Sequence, residues 1–132
     1  MAGQQGGGMK VAELEGALLA QWVARANGWT VEVEDPDEED SPLYCRDENG
    51  IPQSFTEHGY WPHVNWAQSG PIIEREQIAI ESMDHHTPGS AWTAIVRGIF
   101  DYGAGGIEGQ TPLIAAMRAY VASIYGDEVP DS

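Results

Sequence analysis

TPLIAAMRAYVASIYG, residues 111–126, carries the strongest helical signal in the chain. Thr111 offers a side-chain oxygen to a first-turn N–H, and Pro112 follows where a missing N–H costs nothing. Leu113, Met117, Tyr120, Val121 and Ile124 recur at three- and four-residue spacing, and Gly126 supplies the stop. Ala115, Ala119 and Ala122 make a side without large groups, suited to close approach by the first helix or by another subunit.

Upstream, Leu14, Leu18, Leu19, Trp22, Val23 and Ala26 repeat with the same period over residues 14–27, and Gly28 ends that helix. Between the two helices the pattern turns to alternation. Val31 and Val33 share one face of residues 30–34, and residues 43–46 form a second short strand. Ile78 and Ile80 share a face of residues 77–82, while Trp92, Ala94 and Val96 alternate over residues 91–97. The turn DHHTPGS, residues 84–90, makes these two an antiparallel pair. Pro71 is predicted to open a helical turn at PIIERE. Residues 47–53 read as a polar loop, 55–70 as an irregular loop rich in rings, 98–110 as a glycine-rich connector, and the final DEVPDS as a frayed tail. The order predicts an α+β fold, a small antiparallel sheet with an N-terminal and a C-terminal helix packed on one face.

The chain of 132 residues suits one domain, read from Met9 to residue 132, with an acidic loop near residues 35–50. The opening MAGQQGGG has no side chain able to hold a fold and is predicted to be disordered; Gln5-Gly6-Gly7 matches a purine-rich ribosome-binding sequence, which points to Met9 as the native start. Six Lys and Arg against 21 Asp and Glu give a formal charge of −15. Such a field repels phosphate backbones and anionic headgroups, so direct nucleic-acid binding and membrane docking are not expected. The charge serves solubility, or else meets a basic partner. Cys45 is the one cysteine, so no intramolecular disulfide forms, which fits a reducing cytoplasm; no apolar run spans a bilayer and the N-terminus lacks a signal-peptide pattern.

The usual catalytic arrangements are missing. His85 and His86 beside Asp84 form the densest donor cluster, but adjacent residues point apart, and His58 and His63 lie elsewhere. Cys45 stands between Arg46, which would lower its pKa, and the acid run, which would raise it. GAGGIEG, residues 103–109, lacks the lysine of a phosphate-binding loop, and Glu74 and Glu76 straddle Arg75 as surface charges do. No catalytic residue, metal or cofactor is therefore expected.

Two arginines stand out. Arg75 and Arg118 sit in apolar segments of a chain with few cations, and a guanidinium there needs either an internal carboxylate such as Glu74 or Glu76, or an anionic ligand. Trp66, with Asn65 and Gln68 close by and Tyr60 and Trp61 before it, sets ring faces beside amides, an arrangement suited to stacking or to pinning the loop on the core. The functional expectation is a pocket for a small anionic metabolite or nucleotide, in which Arg75 and Arg118 hold the anion, Trp66 stacks, and Asn65 and Gln68 supply amide edges.

MKVAELEGALLAQWVARANG (residues 9–28), WAQSGPIIEREQIAI (66–80) and TPLIAAMRAYVASIYGDEV (111–129) resemble the NinX-like family of uncharacterised proteins from lambdoid and related phages and prophages. The three blocks cover the start, middle and end of the domain. The chain departs by an acidic insertion around residues 35–49 and by Glu15, where a capping Thr is expected. The resemblance implies a phage or prophage origin and expression in a bacterial host, and it carries over no catalytic residue. The leading expectation is a non-enzymatic accessory protein that binds its target in the host cytoplasm, with a homo-oligomer left open. The alternatives are an acidic module whose residues 32–40 occupy a basic host protein, and, ranked third, a hydrolase built on His85 and His86.

Overall fold

A computed structural model describes residues 8–83, 91–96 and 106–130. Strand β1 (Met9–Lys10) and a 3-10 turn (Val11–Glu13) lead into α1 (Gly16–Ala26). Strands β2 (Thr30–Val33), β3 (Leu43–Arg46) and β4 (Pro52–Ser54) precede α2 (Trp66–Glu76). Strands β5 (Ile78–Ser82), β6 (Trp92–Val96) and β7 (Ile107–Gly109) follow, then α3 (Pro112–Tyr125) and β8 (Glu128–Val129). The α+β class stands. The strands divide among three small antiparallel sheets instead of one: β1 with β8, the meander β2-β3-β4, and the meander β5-β6-β7.

α3 begins where its caps dictate, with Thr111 Oγ1 accepting from Ile114 N–H at 3.1 Å and Pro112 in the first turn. Every residue from Ala115 to Ala122 is buried, so this is a central helix and not a surface one with a single stripe. It packs on β5, β6 and β7, on α1 and on α2. Ala115, Ala119 and Ala122 are covered within the chain. Gly109 shows how closely β7 approaches: a methyl group there would sit 2.5 Å from the backbone nitrogen of Ala115. Leu14, Leu19, Val23, Met117 and Val121 fill the interior between the helices.

α1 lacks a side-chain cap at Glu15, in keeping with the absent threonine, and it ends in a Schellman turn. Gly28, at φ +84°, donates its N–H to Arg25 C=O at 2.9 Å, and Trp29 donates to Ala24 C=O at 3.0 Å. The predicted hairpin forms between β5 and β6, with Ile78 opposite Val96 and Ile80 opposite Ala94.

Four local expectations change. The helix around PIIERE starts five residues before Pro71, because Asn65 Oδ1 caps it by accepting from Ala67 N–H at 2.9 Å. Pro71 is therefore interior to α2. The ring-rich loop before it folds back, in line with the reading that pins it on the core, and buries Phe55, Tyr60 and Pro62. The polar stretch contains β4, and the glycine connector ends in β7, whose Ile107 is buried. In the tail, Val129 is 2% exposed and pairs with Met9, while Val11 N–H donates to Asp127 C=O at 2.9 Å. The expected disorder of residues 1–7, the turn 84–90 with His85 and His86, and most of the connector lie outside the described residues.

Candidate functional site

The Schellman turn carries Asn27 and Trp29 past the end of α1 to the wall of an open cleft of about 680 Å³. Tyr60 from the folded-back loop, Gln68, Ile72 and Arg75 from α2, and Tyr120 from α3 face the same space. Asp47 and Glu48 from the β3–β4 turn and Gln53 from β4 also line it.

A chain of hydrogen bonds ties these elements together. Arg75 donates from Nη2 to the Tyr120 hydroxyl at 3.1 Å, which donates to Asn27 Oδ1 at 2.8 Å; Asn27 Nδ2 donates in turn to the Tyr60 hydroxyl at 2.9 Å. The Tyr60 ring leans on Trp29 with centroids 4.7 Å apart. Burial pushes the Tyr60 and Tyr120 phenols above their ordinary range, while Arg75 pulls that of Tyr120 back. Arg75 also donates from Nε to Glu76 at 2.8 Å, which strengthens its charge, and its guanidinium lies 5.7 Å from the Tyr120 ring centroid. Of the five N–H donors of a guanidinium, two are thus engaged, and the side chain is 55% exposed.

The turn residues bring negative charge. Asp47 accepts from Asn49 N–H, Ile51 N–H and Gln53 Nε2 at 2.9, 3.0 and 3.0 Å, and the Ile51 bond leads in holding its carboxyl below the usual range. Glu48 is exposed and has no hydrogen bond or ion pair among the described residues.

Of the residues expected to form the pocket, Arg75 and Gln68 lie at the cleft. The Gln68 amide is engaged by the loop, accepting from Trp61 N–H at 2.6 Å and donating to Gly59 C=O at 2.7 Å. Asn65 acts as the α2 cap, and Trp66 is 57% exposed and does not line the cleft. Arg118 is buried and does not meet Arg75: it donates from Nε to Leu14 C=O and from Nη1 to Glu108 C=O, each at 2.8 Å. Burial lowers its pKa, against the pull of Glu15 and Glu13. Trp29, Asn27 and Tyr120 are among the cleft residues that pattern reading missed. The available signal was Gly28 itself, since a left-handed stop fixes the direction of the next side chains.

Elsewhere, His63 is buried against Trp61 with its Nδ1 unpartnered, and burial lowers its pKa. Cys45 is buried in β3 and its thiol is pushed up to about 11 by burial, with Asp47 adding to the effect. Among the described residues no group of three or more His, Cys, Asp and Glu is placed to hold a metal ion, and no helix is long and apolar enough to cross a membrane.

A family model described as Bacteriophage P22, NinX matches residues 10–124, a span that includes the residues lining the cleft. A search of curated proteins finds no match.

Proposed function

The chain belongs to the Bacteriophage P22 NinX family, and from that premise we propose that this phage accessory protein acts without catalysis in the host cytoplasm, by binding a small ring-bearing anion in the Arg75 cleft. The observation that supports this reading is the linked wall Arg75–Tyr120–Asn27–Tyr60, which fixes one guanidinium beside ring faces in a concavity of ligand size. The free N–H bonds of Arg75 meet the anion, and Trp29, already braced by Tyr60, offers a face to the ring. Arg118 takes no part in the cleft, its guanidinium being bonded to Leu14 C=O and Glu108 C=O.

Calorimetric titration of the full chain at low salt, with ring-bearing phosphates and carboxylates, tests the proposal. Binding that Arg75→Ala weakens at least about tenfold, as loss of a charge-assisted hydrogen bond requires, and that Trp29→Ala also weakens, supports it. Absence of binding, or equal binding by both variants, refutes it.

A further inference from the structure

The cleft holds one cation and three carboxylates, Arg75 against Asp47, Glu48 and Glu76. Glu76 is already matched to Arg75 at 2.8 Å, so Asp47 and Glu48 leave the space negative before anything enters. A neighbouring concavity shares Trp29, Asp47 and Glu48 with the first, and Arg46 on its wall is held by Glu32 at 3.2 Å. A ligand extending that way meets Glu48 and an Arg46 that already donates from Nε to Glu32, from Nη1 to Gly50 C=O and from Nη2 to the Tyr44 hydroxyl. Nη1 of Arg75, by contrast, is unengaged among the described residues. Arg118, the other cation expected here, is turned to Leu14 and Glu108.

We infer that the cleft selects ring-bearing ligands with a single negative charge and discriminates against dianions and polyphosphates, an inference that rests on the binding reading above. The first negative charge gains the unengaged N–H bonds of Arg75. A second finds only Arg46, whose three nitrogens are already bonded, and faces Glu48, inside the field of a chain with net charge −15. A neutral ring loses the contact with Arg75. Two chemistries that meet this rule at neutral pH are an aromatic carboxylate and a nucleoside whose phosphate is a diester. A phosphomonoester carries about −1.5 to −2.

The test is calorimetry of the full chain at low ionic strength with two series. One is adenosine, its 3′,5′-cyclic monophosphate, its 5′-monophosphate and its 5′-triphosphate; the other is benzyl alcohol, benzoate and phthalate. The singly charged member of the bound series is expected to be tightest, with a loss of about fivefold or more on either side, the size of a unit-charge interaction at contact distance in water. Glu48→Gln removes an exposed, unbonded carboxylate, so the fold is kept, and it is expected to narrow the gap between singly and doubly charged ligands severalfold. Affinity that rises steadily with charge, neutral members that bind as tightly as the monoanion, or an unchanged gap in the variant overturns the charge rule while leaving the binding reading in place. If no member of either series binds, both fall together.

Discussion

Arg118 and Arg75 occur in similar apolar surroundings in the sequence, yet their side chains have opposite partners. Arg118 faces two main-chain carbonyls, and a carbonyl has no residue type to announce it, so pattern reading could not separate this arginine from a ligand contact. Arg75 shows its role through Glu76 and Tyr120, but only the second lies beyond the reach of neighbouring sequence. The distinction has a measurable outcome. Arg118→Ala leaves two carbonyls, Leu14 and Glu108, without their charged donor. It is expected to cost about 3 kcal/mol of stability in urea denaturation; a loss of less than about 1 kcal/mol would show the bonds to be dispensable. Trp29 and Trp66 make the same point for rings: Trp66 lies in the more suggestive stretch, whereas the backbone turn at Gly28 brings Trp29 to the cleft.

At the scale of elements, legibility followed local signals. α3 has a cap, a proline and a stop in the sequence, and β5 and β6 alternate cleanly, so all three were readable. β1, β4, β7 and β8 are only two or three residues each, too short for a period, and pairing with distant partners defines them. α2 hid its start because Pro71 resembles a first residue, while the actual cap at Asn65 sits amid rings. Two glycines separate conformational need from habit. Gly70 lies inside α2 with open space where a Cβ would go, so Gly70→Ala should raise stability by about 1 kcal/mol. Gly109→Ala should lower it by roughly 2 kcal/mol, since the new methyl meets the α3 backbone. Paired thermal melts check both signs, and a harmless Gly109→Ala would mean that β7 can back away from α3.

For the molecule as a whole, the charge of −15 was plain in the sequence and opposes compaction. Carboxylates along residues 34–40 are exposed, so screening should relieve their mutual repulsion. The melting temperature is expected to rise by several degrees between about 0.01 and 0.1 M salt, as the Debye length falls from about 30 to about 10 Å; a flat or falling profile would show the repulsion to be already compensated. The position of α3 affects a different process. This helix is the surface on which α1, α2 and the β5-β6-β7 meander settle, and β8 is the mate that β1 requires, yet the ribosome makes both after every other described element. Much of the earlier chain therefore emerges with its apolar faces uncovered, and assembly waits until α3 has been made. A polypeptide held in that state benefits from strong self-repulsion between neighbouring nascent copies, so the same acidity that strains the finished protein guards it from clumping during birth.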